Sequence, residues 1–340
     1  METSRDLVYS QTLSTPVVYT LLTWSLGNLL LSLTGNTLVL VSSIKYSAIK
    51  LDEVSVALIQ HISIADAAYL IFRAGLGIPG LITRQWHLGQ GMCDVSTFVT
   101  YTLSTVPVDI VCILNINKLL TLKYPLKSML RQRRTGHILA ACVWIVIIAT
   151  VAITWWLTDW SCHFRSNILN CLESAQRERL KQVIFAIYII GPMFVIVITT
   201  VLLMRLVHTA RGLRVKGIIT LISVSVVLLV AWLPYGIYNG VMAFLSDETI
   251  RRNVHTCAIV DTISVYLLYA NYSCNPLIYY RSVKSFNKFV KEAVFQRVQS
   301  TRFSWKSSHR NNTGVTTKGD SVQVKRNNEV KYPGGCVQMR

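Results

Sequence analysis

The segment from Gly217 to Ser246 reads GIITLISVSVVLLVAWLPYGIYNGVMAFLS and contains no charged residue. A helix needs about 20 predominantly apolar residues to cross the hydrocarbon core of a bilayer. A strand of a membrane barrel would instead alternate polar and apolar residues over about 10 positions, and this segment does not alternate. The segment therefore predicts a helix that spans a membrane.

Six further stretches of the chain have the same character and predict six further spans. The charges inside them are limited to Asp66, Arg73 and Asp109. The stretches are Val17–Ile44, Val54–Thr83, Ser96–Asn117, Ile138–Thr158, Val183–Met204 and Thr262–Tyr280. The sequence thus predicts an all-α membrane protein, a seven-transmembrane helix bundle.

The composition excludes an ordinary soluble enzyme. Of the 340 residues, 52% are hydrophobic and 15% are charged, whereas a soluble domain averages about 25% charged residues. The net charge of +18 would suit nucleic-acid binding, but the basic residues lie between apolar runs and no groove-reading motif occurs. Nucleic acid is therefore not an expected partner.

The basic residues predict the orientation in the membrane. Of the 34 Lys and Arg residues, 25 fall on the side of the bundle that carries the C-terminus, and eight fall on the opposite side. Cytoplasmic loops are the ones enriched in Lys and Arg. We expect a multi-pass plasma-membrane protein with an extracellular N-terminus and a basic tail near anionic lipid. The first residues do not resemble a cleavable signal peptide.

The chain divides into four regions by composition. Residues 1–16 form a short extracellular N-terminus, and residues 17–280 form the seven-span domain. Residues 281–296 predict an amphipathic helix at the membrane interface, because apolar positions recur at helical spacing opposite lysines. Residues 297–340 are polar and basic, which is typical of disorder. Their serines and threonines are candidate phosphate acceptors for kinases and then arrestin, and a plain tail on lipid headgroups is the alternative.

Other functions of helical membrane proteins find little support. The last span, Thr262–Tyr280, has no lysine for a retinal Schiff base. Transporters usually contain internal repeats, and this sequence shows none. The spans carry neither paired carboxylates nor histidine clusters, and His61 is the only histidine within them. The sequence therefore predicts no enzyme and no catalytic residues.

A set of short motifs in the spans resembles the rhodopsin-like (class A) G-protein-coupled receptors over residues 17–296. The resemblance depends on the order and placement of the motifs rather than on any single one. They are Gly35-Asn36, Ser63-Ile64-Ala65-Asp66, Trp86-His87-Leu88-Gly89 before Cys93, Trp144, Pro192, Ala231-Trp232-Leu233-Pro234 and Asn271-Tyr272-Ser273-Cys274-Asn275-Pro276-Leu277-Ile278-Tyr279.

The resemblance implies a receptor that transduces binding of an extracellular small molecule or peptide to heterotrimeric G proteins. Prolines within spans create kinks on which half-helices can swing, and buried polar groups need partners inside the bundle. A static hydrogen-bond network is the alternative reading of the same residues. The implied switch residues are Asn36, Asp66, Asn117, Lys118, Pro192, Trp232, Pro234, Asn271, Asn275, Pro276 and Tyr279.

The chain departs from the family where an Asp-Arg-Tyr triplet is expected, because it reads Asn117-Lys118-Leu119. Asn117 has no charge to restrain its neighbour, which predicts basal activity. Lys118 lacks the planar fork of arginine, which predicts weaker G-protein coupling. The runner-up function is therefore a non-coupling or constitutively active receptor that serves as a scavenger or co-receptor.

Asp66 resembles the sodium-binding aspartate of the family. Pro107 stands where a hydroxyl ligand is usual, so a sodium ion would have one ligand fewer. A protonated or water-bridged carboxyl is the alternative, and no other cofactor is expected.

The resemblance also implies a disulfide between Cys93 and Cys171 over the ligand entrance. Cys162 and Cys257 then form a second bridge or remain thiols.

The resemblance places the ligand between the outer halves of the spans. Thr100 stands where amine receptors carry an aspartate, which disfavours a simple monoamine, although Asp261 could substitute. Arg73 suggests an anionic ligand, with a salt bridge to an outer-loop acid or snorkelling to the surface as the alternative. The candidate ligand-binding residues are Arg73, Thr100, Tyr101, Ser104, Trp232, Tyr235, Asn239, Tyr266 and Tyr269.

Overall fold

A computed structural model of the chain describes residues 8, 11, 13–45, 51–124, 132–157, 161–165, 168, 170–174, 186–209 and 215–293. Within these ranges the chain forms a bundle of seven long helices. Their bounds are Thr15–Ile44 (α1), Glu53–Thr83 (α2), Gly89–Lys123 (α3), Arg133–Leu157 (α4), Ile187–Thr209 (α5), Val215–Phe244 (α6) and Val254–Ser282 (α7).

Six of these helices, α1 to α6, are long and apolar enough to cross a membrane, counted over the described residues. The seventh, α7, has 29 residues but carries more polar side chains. The sequence predicts its span from Thr262, whereas the helix begins at Val254. Asp261 accounts for the difference. A charged residue ends an apolar run in the sequence, but the side chain of Asp261 is buried inside α7 at 2% exposure.

A short hairpin lies between α4 and α5. Its strands, β1 (Ser161–Arg165) and β2 (Asn170–Ser174), pair antiparallel, with Cys162 opposite Glu173 and Phe164 opposite Cys171. Both strands contact α3. The hairpin therefore lies at the end of the bundle where α3 begins.

The helices pack through one apolar core and through two close backbone contacts. A Cβ atom at Gly35 of α1 would lie 2.8 Å from Pro276 of α7, and one at Gly136 of α4 would lie 2.7 Å from Ala57 of α2. Only glycine permits helices to approach this closely. These contacts fix α7 against α1, and α4 against α2.

A further helical segment, 284–293 (α8), follows α7 after a break at Val283, whose backbone is extended. The amphipathic helix was expected from residue 281, but Arg281 and Ser282 continue α7. Phe286 is 1% exposed and belongs to the main core. The predicted tail at 297–340 lies outside the described residues, as does most of the N-terminal segment.

Candidate ligand cavity and polar contacts between helices

A small cavity opens between the helices near the hairpin. Its volume is about 70 Å³. The lining comes from α2, α3, α5, α6 and α7 and includes six of the residues proposed as ligand contacts. The lining residues are Tyr69, Arg73, Thr100, Tyr101, Ser104, Thr105, Ile189, Trp232, Tyr235, Val265 and Leu268.

Among the lining residues named above, Arg73 alone carries a charge. It lies on a π-helical turn, Ile71–Gly75, that interrupts α2. Its side chain is 2% exposed, and Nη1 donates a hydrogen bond of 2.7 Å to the backbone carbonyl of Cys171. The guanidinium therefore does not snorkel to the outer surface. This bond joins the guanidinium to strand β2 of the hairpin.

Three predicted contacts lie outside this lining within the described residues. Asn239 donates to the carbonyl of Tyr235 within α6, at 2.8 Å. The hydroxyl of Tyr266 donates to the carbonyl of Ile168, at 3.1 Å. The ring of Tyr269 packs against the rings of Tyr266 and Tyr69. Tyr269 also hydrogen-bonds to the side chain of Arg73, so it contacts a residue of the cavity although it does not belong to the lining.

The disulfide joins Cys93 at the start of α3 to Cys171 of β2, as the resemblance implied. No bridge joins Cys162 to Cys257, so the second bridge considered from the sequence is not present. Cys162 is fully buried beside the Cys93–Cys171 bridge, with Trp86 and Trp155 packed around all three. Cys257 instead packs in a separate apolar cluster with Tyr238 and Met242.

Polar side chains tie α7 to α1 and α2 in the middle of the bundle. Asn275 donates to Asp66 Oδ2 at 2.7 Å, and Asn36 donates to the carbonyl of Tyr272 at 3.1 Å. Asp66 is fully buried, and its Oδ1 atom has no hydrogen-bond partner among the described residues. Asn271 is also buried on α7. A buried carboxylate oxygen in this state needs a proton, a water or a cation.

Prolines lie inside α6 and α7 and near the start of α5. Pro234 lies inside α6 and Pro276 inside α7. Pro192 follows the π-helical turn Ala186–Ile190 that opens α5. Trp232, which lines the cavity, precedes Pro234 by two residues and packs edge-to-face on Tyr235. This part of the cavity lining therefore lies next to the proline at which α6 lacks one backbone hydrogen bond.

A second polar node, which sequence reasoning missed, joins α3, α5 and α6. The amide nitrogen of Asn115 lies 3.3 Å from the hydroxyls of both Thr199 and Thr200 and 2.9 Å from that of Ser225. All four side chains are buried. An asparagine in an apolar span was the available signal, because such a group requires partners on other helices.

Lys118 is restrained by an acid that the sequence analysis did not consider. Its Nζ atom lies 2.9 Å from Oδ2 of Asp52, with the side chains 18% and 25% exposed. The sequence analysis expected no restraint from residue 117, and the structure instead pairs Lys118 with Asp52, an acid outside the triplet. Asn117 is buried, and its amide nitrogen has no partner among the described residues.

Asp52 is held in place by its role at the start of α2. It is the N-cap residue, and its two oxygens accept from the backbone nitrogen of Ser55 at 3.0 Å and from the hydroxyl of Ser55 at 2.8 Å. Burial raises the pKa of the Asp52 carboxyl, but the charge and hydrogen bond of Lys118 and the bonds from Ser55 outweigh it, so the pKa is lowered. The carboxylate is thus ionised at neutral pH and fixed toward α3.

Comparison with known sequences gives a family match over most of the bundle. A sequence profile described as "7 transmembrane receptor (rhodopsin family)" matches residues 35–279. The match begins at the glycine that contacts Pro276 and ends at Tyr279.

Individual relatives are distant but cover most of the chain. The chain is 24% identical to cysteinyl leukotriene receptor 2 of Homo sapiens over 250 residues, which are 69% of this chain and 70% of that protein. It is 24% identical to chemokine XC receptor 1 of Mus musculus over 301 residues, 86% of each chain. It is also 24% identical to somatostatin receptor type 2 of Sus scrofa over 274 residues, 74% of this chain and 70% of that one.

Proposed function

Because the chain belongs to the rhodopsin family of seven-transmembrane receptors, we propose that its extracellular ligand carries an anionic group that binds at Arg73. The family consists of receptors that signal through G proteins, so the chain is a receptor and not an enzyme. The scavenger or co-receptor alternative is not favoured by the relatives. Their names cover a leukotriene, a chemokine and somatostatin, so the ligand class depends on the cavity itself.

The charge of the cavity supports an anionic ligand. The lining combines Arg73 with hydroxyl-bearing and apolar side chains, so its net charge is positive. Arginine binds carboxylate and phosphate groups through paired hydrogen bonds. The same positive charge opposes a protonated amine, which agrees with Thr100 at the position of the amine-binding aspartate. Asp261 is buried on α7 but does not belong to this lining.

The size of the cavity limits what enters it. Drug-sized ligands occupy sites of about 300–1,000 Å³, whereas this cavity has about 70 Å³. A carboxylate or phosphate fits such a volume, while the rest of the ligand extends toward the hairpin. The hydroxyls of Thr100 and Ser104 already donate to backbone carbonyls of α3. Their protons are therefore engaged and are not donated to an anion. Arg73 therefore supplies the main attraction.

The test is a ligand screen in which G-protein activation and arrestin recruitment are read in parallel. The library pairs each organic acid, lysophospholipid or acidic peptide with its neutral ester or amide. We expect responses from the acids. Arg73→Gln should weaken them roughly tenfold to a hundredfold, because a charged hydrogen bond contributes about 1.5–3 kcal/mol.

Two controls complete the screen. Arg251→Gln removes an exposed arginine from the short helix Asp247–Arg252 and should leave potency unchanged. Arg73→Lys retains the charge without the fork and should fall between wild type and Arg73→Gln. If Arg73→Gln reaches the surface and responds to every active ligand as the wild type does, the anionic ligand is refuted.

We also propose that the Asn117-Lys118-Leu119 triplet takes the place of the family's Asp-Arg-Tyr triplet, with Asp52 as the restraining acid. The Lys118–Asp52 distance of 2.9 Å supports this. On this proposal the receptor has low basal activity and couples when Lys118 leaves Asp52. Signal from an unliganded wild-type receptor well above an empty-vector control would count against the restraint.

The topology and the remaining partners follow from the same proposal. The positive charge of the C-terminal side supports a plasma-membrane receptor with its N-terminus outside. An N-terminal epitope tag should then be accessible on intact cells, and a C-terminal tag only after permeabilisation. Kinases and arrestin would act on serines and threonines of residues 297–340, which lie outside the described residues, and basic segments would contact anionic lipid.

A sodium ion at Asp66 remains part of the proposal. The Oδ1 atom of Asp66 lacks a hydrogen-bond partner among the described residues, which suits a cation or a water. Pro107 supplies no hydroxyl, so the ion would have one protein ligand fewer. A bound sodium would supply positive charge that stabilises the resting bundle, and Asp66 with Asn275 would hold it.

A further inference from the structure

Three cysteines share one buried cluster at the start of α3, although only two of them form the disulfide. Cys93, Cys162 and Cys171 are each 1% exposed or less and pack together with Trp86 and Trp155. The disulfide joins Cys93 to Cys171, and Cys162 lies outside it. A disulfide beside a third cysteine has the components for thiol–disulfide exchange.

The register of the hairpin places Cys162 on the same face as Cys171. Cys162 is opposite Glu173 in the antiparallel pair, and Cys171 is two residues from Glu173, so all three backbone positions share one face. Diagonal neighbours of this kind lie roughly 7–8 Å apart. If the hairpin shifts toward α3 by part of this distance, the sulfur of Cys162 takes the place of the sulfur of Cys171 next to Cys93.

The backbone of Cys162 is also held at α3 independently of the disulfide. Gln90, three residues before Cys93, donates from Nε2 to the carbonyl of Cys162 at 2.7 Å. This bond ties β1 to the first turn of α3. Either strand of the hairpin is therefore anchored within reach of Cys93: β2 by the disulfide, and β1 by Gln90.

We infer that Cys93 has two alternative disulfide partners, Cys171 and Cys162, and that the hairpin interconverts between them. The thiolate of Cys162 attacks Sγ of Cys93, the bond between Cys93 and Cys171 breaks, and Cys171 leaves as a thiolate. Cys171 then takes up the proton that Cys162 released. One disulfide and one thiol are present before and after, so no oxidant or reductant is consumed.

The exchange would change the ligand cavity. The carbonyl of Cys171 accepts the 2.7 Å hydrogen bond from Arg73, so release of Cys171 from α3 loosens β2 above the guanidinium. In the isomer in which Cys93 is bridged to Cys162, the contacts between Arg73 and β2 therefore differ. This consequence depends on the proposed anion site, whereas the exchange itself depends only on the cysteine cluster.

Peptide mapping of the full-length receptor tests the exchange without any ligand. Purified receptor is incubated in buffers of reduced and oxidised glutathione, quenched in acid, alkylated and digested with trypsin and chymotrypsin. Arg165 separates Cys162 from Cys171, and Trp160 separates Cys162 from Cys142, so the two isomers give different linked peptides. We expect a Cys93–Cys162 peptide whose ratio to the Cys93–Cys171 peptide is the same at every glutathione ratio that leaves a disulfide, and its absence at all of them would overturn the inference.

A variant pair gives a second, independent readout. In Cys171→Ser we expect Cys93 to remain protected from alkylation through a bridge to Cys162, with receptor still at the cell surface. In the double variant Cys162→Ser/Cys171→Ser, Cys93 should become fully alkylated. If Cys93 is equally alkylated in both variants, Cys162 is not an alternative partner. Failure of Arg73→Gln to alter ligand response would refute the anion site but leave the mapping result standing.

Discussion

The ammonium group of Lys118 lies 2.9 Å from the Asp52 carboxylate, which joins α3 to the first residue before α2. The side chains are 18% and 25% exposed, so this ion pair is partly shielded from water. Lys118 belongs to the Asn117-Lys118-Leu119 triplet, which we propose takes the place of the family's Asp-Arg-Tyr triplet. The pair is therefore a candidate restraint on activation that uses a different acid from the one in the family's triplet.

Asp52→Asn should raise basal G-protein signalling. The amide keeps an N-cap oxygen for Ser55 but loses the charge that holds Lys118. A partly exposed ion pair contributes about 1 kcal/mol, which predicts roughly a fivefold change in the active fraction. Unliganded receptor in a reporter cell, normalised to surface expression, measures it.

Glu53→Gln is the matched control for this variant. Glu53 is the adjacent acid and is exposed, so its neutralisation should leave basal signalling unchanged. Equal activation by both variants would indicate a general charge effect rather than release of Lys118.

The Lys118–Asp52 pair should be insensitive to pH near neutrality. Because the pKa of Asp52 is lowered in the folded receptor, the pair stabilises the fold above the ordinary carboxyl pKa and loses this contribution only as the pH falls through the lowered value. The stability difference between wild type and Asp52→Asn should therefore be constant from about pH 6 to 8. Thermal unfolding in detergent measures it, and a difference that vanishes by pH 6 would contradict the ionised carboxylate.

Asn115→Leu should destabilise the receptor. It removes the amide that donates to the hydroxyl oxygens of Thr199, Thr200 and Ser225, and it removes the Oδ1 atom that accepts from the Ser225 hydroxyl. The loss should be about 1–3 kcal/mol, visible as a lower unfolding temperature. Thr199→Val should cost less, because the Asn115 amide keeps the hydroxyls of Thr200 and Ser225 as partners, and equal costs would exclude Asn115 as the centre of the node.

Gly35→Ala should lower surface expression and thermal stability. The added methyl group would lie 2.8 Å from two carbons of Pro276, so α1 and α7 must separate. Gly27→Ala on the same helix meets nothing within 4 Å and should be neutral or slightly stabilising. If both variants unfold at the wild-type temperature, α7 does not pack on α1 at this glycine.

Sodium should stabilise the unliganded receptor if Asp66 binds it. Replacing sodium by N-methylglucamine at constant ionic strength should lower the unfolding temperature of the wild type, and should not affect Asp66→Asn. An identical response in the two proteins would favour a protonated or water-bridged carboxyl.

The seven helices follow from hydropathy because lipid requires long apolar segments, but α3, α4 and α7 begin before the predicted spans, at Gly89, Arg133 and Val254. The cavity residues were predictable from resemblance, but Tyr266 and Tyr269 pack sideways on other rings, which no spacing indicates. Asp52 could have been predicted as a partner of Lys118, since Asp52 and Glu53 are the only acids in the first three loops of the basic side. The bond from Arg73 to Cys171 depends on the tertiary position of the hairpin.

The pairing of His61 with His137 shows the same limit. The sequence presents His61 as a single span histidine, whereas its Nε2 atom lies 3.2 Å from Nδ1 of His137. His137 lies just before the predicted fourth span, and α4 begins four residues earlier, at Arg133. The predicted span excluded the basic residues before Ile138 and with them His137. The pair was therefore not predicted from the sequence.

The most direct measurement follows the separation of α3 and α6 in receptor reconstituted in lipid nanodiscs. Probes introduced as noncanonical amino acids at the exposed positions Leu120 and Ile219 report this distance with and without nucleotide-free G protein. A two-state receptor gives a second, longer distance that G protein populates and that Asp52→Asn populates without it. One unchanged distance under all these conditions would contradict signalling by rearrangement of the helices.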